Sequence, residues 1–346
     1  MKWWQKQRSG DNSQNIQAVV ANFGMGYEDV LAVVSNYVDV RLAALSQSAF
    51  EEARDRVEEF TVNYIHRIQG ESPEVLQNTR DPGVQSALLD AQSAYAKMGD
   101  EDLGQVLVEM LAKRTETTER NVQQLALAEA IVATGKLSYK HVRVLTALFL
   151  TLAVTFGAPT SPEDLYQRLR NNLSPILAGL RFSDADVQYL ADTGATRIEL
   201  LSSRAIPSTL RETYPGLYCM GLDREIFPAV KKYENGPIII PCIRNPALLQ
   251  VNASSQSHLE ALLPQFGLEG EKAELLTLLT GNPMDNTEVQ RELTSRVPGM
   301  GEFIELWEGG VLKNSVPSIV GMAIAHANLK ATSGGDFTAD LNIWIS

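Results

Sequence analysis

The sequence predicts a mainly α protein with a small mixed α/β C-terminal part, led in by a strand-like N-terminal arm and a long helix. Three observations predict this. Apolar residues recur at steps of three, four and seven from Tyr27 to about Gln69. Helix-start and helix-stop residues then follow one another as far as residue 173. Past about residue 195 the apolar runs shorten and fall between Gly and Pro, as strands and loops do. The expected division is an arm over 1–26, a helical domain over 27–195, and a mixed α/β domain over 196–346 that ends in a strand.

The arm contains "SGDNSQNIQ". Gly10, Asp11, Asn12 and Ser13 are turn formers, and Asn15, Ile16, Gln17, Ala18, Val19 and Val20 make a short strand-like run. A lone strand far from other strand signals cannot satisfy its own backbone N–H and C=O groups. It must join the C-terminal sheet, remain a loose arm, or pair with copies from other subunits. Asn and Gln favour the last, because identical amides stack in ladders between copies. Asp11, Asn12, Ser13, Asn15, Ile16 and Gln17 are therefore the candidate oligomerisation residues. Ahead of them, Trp3, Trp4, Lys6 and Arg8 form a second candidate contact, with a partner or a membrane surface.

In the long helix, Val34, Tyr37, Val38, Leu42, Leu45, Phe50, Val57, Phe60, Tyr64 and Ile68 form the apolar seam. The other face carries Glu51, Glu52, Arg54, Asp55, Arg56, Glu58 and Glu59. Such a helix runs to about 60 Å at 1.5 Å per residue, unless "SQS" (46–48) divides it. Its seam invites a partner.

Helix starts follow at "SPEVL" (72–76) and "DPGVQ" (81–85), the second helix stopping at Gly99. The run 100–114 begins acidic and ends basic, as the helix dipole prefers. Asp100, Glu101 and Asp102 thus read as helix capping before metal binding. Helices are expected around 118–134, 138–156 and 161–173. "TRIELLSS" (196–203) and "GPIIIPCI" (236–243) are strand-like, and 210–222 reads as a loop. Helices return at 255–266, 270–279, 286–296, 301–308 and 317–331, with a possible strand at 309–315. In the final segment Phe337, Ala339, Leu341, Ile343 and Ile345 alternate with polar residues and Trp344, which predicts a strand.

Composition narrows the function classes. With 44% hydrophobic and 21% charged residues the chain can bury a sizeable core. A net charge of −12 opposes any general affinity for phosphate backbones. The C-terminal order of elements loosely suggests a winged helix, yet the expected recognition helix "GEFIELWE" has three glutamates and no cation. Two cysteines, Cys219 and Cys242, suit a reducing cytosol. No apolar core of a signal peptide follows Lys2, Lys6 and Arg8, and the apolar run at 144–158 falls short of the roughly 20 residues that span a bilayer. A cytoplasmic protein is expected.

No phosphate loop, nucleophile elbow, zinc-protease or kinase signature is present, so no catalytic residue, metal or cofactor is assigned. Of the four histidines, His66 and His141 read as helix-surface residues and His258 as a residue near a helix start. His326 and Asn328 interrupt an apolar helix shortly before Asp336 and Asp340. These four form a candidate cluster, although their spacing matches no metal-ligand motif and a structural histidine is the preferred reading.

The segments "WWQKQRSGDNSQNIQA", "MGDEDLGQVLVEMLAKRT", "TYPGLY" and "VGMAIAHANLKATSGGDFTADLNIWIS" resemble an uncharacterised bacterial family of about this length. That family has a polar strand-like N-terminus, a helical body and this C-terminal ending. The ending is also similar, more loosely, to the C-termini of some abortive-infection proteins of phage defence. The resemblance implies a defence role and assigns no catalytic residue. The expected function is a self-assembling intracellular protein, a sensor or effector whose partner is itself. The alternatives are an assembly-activated hydrolase or nuclease with its site near His326, and a membrane-acting effector working through its Trp-rich N-terminus.

Overall fold

The computed structural model describes residues 46–71, 73–199, 203–333 and 337–345. The arm, the first part of the long helix and Asp336 lie outside the described residues. Helices dominate, as the periodicity predicts, and the described strands are short. The long helix is seen from α1 (Gln47–Glu71) onward, beginning within the "SQS" that the sequence marks as a break. Its expected seam is buried at Val57, Phe60, Tyr64 and Ile68.

The residues fall into two units whose chain segments interleave. The first takes the described chain up to Thr146, then Gln188–Arg197, then everything from Pro317; the second takes Ala147–Val187 and Ile198–Val316. The sequence expectation placed everything after 195 in one part. The C-terminal helix and tail instead belong with the N-terminal helices.

The first unit is built around α3 (Glu101–Thr115). It packs against α1, α2 (Pro82–Met98), α4 (Val122–Thr134) and the last helix. Caps set these helices as expected. Asp81 accepts from Val84 N and Asp100 from Leu103 N, each at 3.0 Å. Gly99 ends α2 at φ 61°, where a side chain would be strained. Pro73–Arg80, expected to open a helix, forms a 3-10 turn. Next in the chain is α5 (Tyr139–Leu152), whose Val144, Leu145, Leu148 and Phe149 are wholly buried. Among the described residues no helix is long and apolar enough to cross a membrane.

The second unit holds α6 (Pro162–Leu177), started by Ser161 as an N-cap, and the start of α7 (Asp184–Asp192). Strand β1 (Thr196–Ile198) is shorter than its sequence run, and α8 (Ile206–Thr213) enters the stretch read as a loop. β2 (Ile239–Pro241) pairs antiparallel with β3 (Leu249–Val251), Ile240 facing Gln250. Packed with this hairpin are α9 (Gln256–Phe266) and α10 (Lys272–Leu279), around Val230, Ile239, Val251, Leu259 and Leu275. α11 (Asn286–Arg296) and α12 (Met300–Gly309) follow. Within the run 309–315, Leu312–Asn314 forms a 3-10 turn, and β4 (Ser315–Pro317) follows.

The last helix, α13 (Ile319–Thr332), returns to the first unit and is buried continuously from Ala323 to Leu329. A Cβ on Gly321 would stand 1.9 Å from the Ala195 carbonyl oxygen, so only glycine fits there.

The strand expected at the end does not form. Leu341–Ile343 is a 3-10 turn, and Asp340 accepts from the Asn342 N–H at 2.8 Å. The burial explains it: Leu341 and Ile345 are buried while Ile343 is 68% exposed, a spacing of four that a turn provides. No neighbouring strand pairs with the segment among the described residues, and local hydrogen bonds satisfy its backbone instead.

Candidate functional site

The C-terminal tail lies against the first unit beside a cavity of about 230 Å³. Arg67 of α1, Glu109 and Lys113 of α3, His326 and Lys330 of α13, and Thr338 to Asp340 of the tail line it. Of the candidate cluster, His326 and Asp340 meet here and Asn328 does not. Asp336 lies outside the described residues, as do Trp3, Trp4, Lys6, Arg8, Asp11, Asn12, Ser13, Asn15, Ile16 and Gln17.

His326 is 5% exposed, and its Nε2 donates to the Ala339 carbonyl oxygen at 2.8 Å. A carbonyl only accepts, so Nε2 carries the proton and Nδ1 is the acceptor. The ring packs edge-on against Phe337 and Trp344, with centroids at 5.4 and 5.9 Å. Those two aromatic rings stack on each other at 6.4 Å. Burial drives the pKa of His326 down to about 4, and the Lys330 and Lys113 charges push the same way. The Ala339 carbonyl and Asp340 oppose them without prevailing. The imidazole is therefore neutral at pH 7 and a weak base.

Arg67, Glu109, Lys113, Glu116 and Asp340 around it pair among themselves. Arg67 forks onto Glu109, with Nη2 2.8 Å from Oε2. Lys113 donates to Glu116 at 2.7 Å and to Asp340 at 2.8 Å. Burial works against the charge of Lys113, yet these two carboxylates carry its pKa above the ordinary value. Lys113 in turn holds the carboxyl of Asp340 below the usual range. Among the described residues no group of three or more His, Cys, Asp or Glu side chains is placed to hold a metal ion. The arrangement fixes the tail: a neutral imidazole, an aromatic pair and an ion pair hold one short segment.

Asn328 faces elsewhere on α13, as two-residue spacing on a helix requires. It is fully buried and donates to Thr146 Oγ1 at 2.9 Å, while its Oδ1 has no partner.

His141 and His258 have local partners. His141 Nδ1 lies 2.9 Å from Ser138 Oγ, and His258 Nδ1 lies 3.2 Å from both the N and Oγ of Ser254. Cys219 and Cys242 are buried free thiols, and burial raises Cys219 to about 11, far from a thiolate at pH 7.

Sequence reasoning missed a polar knot in the second unit. Arg244 forks onto Glu292 at 2.7 and 3.0 Å and donates from Nε to the Leu217 carbonyl at 2.6 Å. Tyr166 donates to Glu292 at 2.7 Å, and the Arg244 guanidinium lies over the Tyr218 ring. Burial works to raise the Glu292 pKa, but Arg244 and Tyr166 hold it below the ordinary value. Nothing local in the sequence signals residues so far apart.

A family model described as ":-like" matches residues 24–345. The chain belongs to that family. The match takes in both units and the tail as far as Ile345. No curated protein and no solved structure matches the chain. The family description names no reaction, ligand or partner.

Proposed function

We propose that the chain works by assembling with copies of itself, without classical catalysis, and that the assembly acts as a sensor or effector in bacterial phage defence. One observation carries the first part. Of eight large hydrophobic side chains exposed among the described residues, six belong to the first unit: Val122, Leu125, Val132, Tyr189, Ile319 and Ile343. Three of them stand on one helix. Exposed apolar side chains gathered in this way mark interaction surfaces. The arm adds support, since Asn15, Ile16 and Gln17 form a strand-like run whose backbone needs partners. The defence role draws on the C-terminal ending, which resembles abortive-infection proteins.

The competing reading is a hydrolase or nuclease with its site near His326, supported by the cavity beside that ring. It asks a ring engaged through Nε2, with a pKa near 4, to act as a catalyst. Tail anchoring explains the same contacts without chemistry.

Light-scattering mass after size exclusion tests the proposal, comparing the full chain with one that starts at Gly26. A defined multimer that falls apart on truncation, while staying helical, makes the arm the assembly element. A full chain that is monomeric at every concentration sinks the proposal.

A further inference from the structure

Three carboxylates and three cations line the cavity beside the tail, and their pairing leaves a remainder of each sign. Arg67 and Glu109 hold each other through the guanidinium fork. Lys113 is shared between Glu116 and Asp340, so one cation serves two carboxylates. Lys330, half-buried at the cavity wall, pairs with no carboxylate among the described residues. The lining is thus neutral as a whole but uneven. It holds one unpaired cation and one carboxylate pair short of a second cation.

His326 adds a third demand. Its ring is buried at the same wall, with the Nε2 proton given to the Ala339 carbonyl. Nδ1 accepts no hydrogen bond among the described residues. A buried acceptor is costly to leave unmade, so this nitrogen calls for an N–H or O–H donor. Lys330 follows His326 by four positions on α13, the spacing of one helix face. The charges of Lys330 and Asp340 both reach the ring, the first lowering its pKa and the second raising it. Acceptor, lone cation and carboxylate therefore lie within reach of one small molecule.

We propose that this cavity binds a small zwitterion of the size of a free amino acid, its carboxylate on Lys330 and its ammonium between His326 Nδ1 and the Asp340 carboxylate. Ligands of a single charge fit less well. A simple anion suits Lys330 but brings negative charge to the Nδ1 lone pair and the carboxylates. A simple amine suits Nδ1 and Asp340 but meets Lys330 and Lys113 as like charges. A zwitterion answers both remainders and keeps the site neutral. Volume sets the size. At about 230 Å³ the cavity falls below the roughly 300–1,000 Å³ of drug-sized pockets, so its occupant has few non-hydrogen atoms.

All of these residues belong to the first unit, so the site stands whether or not the chain assembles. Its ligand also has a mechanical effect. His326 and Lys330 stand on α13 while Asp340 belongs to the tail, so the bound molecule ties the tail to the helix.

Calorimetric titration of the full chain is the test, with glycine, L-alanine, L-serine and γ-aminobutyrate as zwitterionic probes. Propionate, ethylamine and inorganic phosphate serve as probes of a single charge. At least one zwitterion is expected to bind with a Kd below about 1 mM and to raise the melting temperature, the single-charge probes binding at least tenfold more weakly. Lys330→Gln and Asp340→Asn, both outside the buried core, are each expected to weaken that zwitterion about tenfold, the loss of one charged hydrogen bond. Lys330→Arg is expected to keep most of the affinity. Circular dichroism checks that each variant retains the wild-type helix content. No zwitterion with a Kd below about 1 mM overturns the proposal. Phosphate, propionate or ethylamine binding as tightly as the zwitterions overturns it too, because the site then reads one charge only. Affinity that either Lys330→Gln or Asp340→Asn leaves unchanged removes that end of the ligand from this cavity, and the proposal with it.

Discussion

The Ala339 carbonyl oxygen lies 2.8 Å from Nε2 of His326, so a ring buried in α13 holds the backbone of the tail. The bond needs only a neutral imidazole. A second proton would reside on Nδ1, facing the repulsion of Lys330 and Lys113 that already depresses the pKa.

Acid is therefore expected to loosen the tail. The pKa of His326 falls from an ordinary 6.5 to about 4 on folding. Between those values the unfolded chain binds a proton that the folded chain does not, so stability drops as pH falls through this window and levels below it. The whole effect is about 3 kcal/mol at 1.36 kcal/mol per pKa unit. Urea unfolding from pH 4 to pH 8 measures it. His326→Gln, which keeps a donor for Ala339, is expected to flatten this window; an unchanged slope contradicts the assignment.

Arg244 supports the second unit by compensating a carboxylate that is only 25% exposed. Arg244→Met leaves Glu292 with the Tyr166 hydroxyl and no cation in its fork. The loss is expected to be about 2–4 kcal/mol, in the range for breaking one side of a largely buried pair. Glu292→Gln added to that variant removes the stranded charge and should recover part of it. The sign with pH follows from the depressed Glu292 pKa. Its contribution is present above the ordinary glutamate value of 4.5 and lost as pH falls through the folded value. Wild type and variant should therefore converge in stability in acid, as denaturant midpoints would record.

Much of the helical layout was legible, because caps and apolar spacing act within a few residues. Asp81 and Asp100 cap the helices expected to start there, and Ser161 and Ser255 cap two whose expected ranges begin at those residues. The last segment misled, because alternation at 337–345 satisfies a strand only where another strand offers its backbone. There the burial of Leu341 and Ile345, with Ile343 exposed between them, fits a turn. His326 and Asp340 could be grouped from the sequence because they lie close along the chain. The rest of the site was not legible, since Lys113 and Asp340 stand 227 positions apart and no local pattern joins them. The interleaving of the two units escaped for the same reason: only tertiary packing returns α13 to α3 and α4.

Asn328 separates a hydrogen bond made from one left unmade. Its amide donates to Thr146 Oγ1, but its Oδ1 is buried with no partner. Thr146 is already satisfied as a donor by the Val142 carbonyl at 2.8 Å. Asn328→Leu keeps the number of side-chain heavy atoms, discards the unpaired oxygen and strands no donor, while its bulkier methyl groups offset part of that gain, so it is expected to be within about 1 kcal/mol of wild type. Asn328→Ala removes the same polar atoms and leaves a cavity at a fully buried position, which is expected to cost about 1–3 kcal/mol. Thermal or denaturant unfolding of the two variants side by side distinguishes the cases. If Asn328→Leu loses as much as Asn328→Ala, the bond to Thr146 outweighs the unpaired oxygen, and the amide is retained for stability.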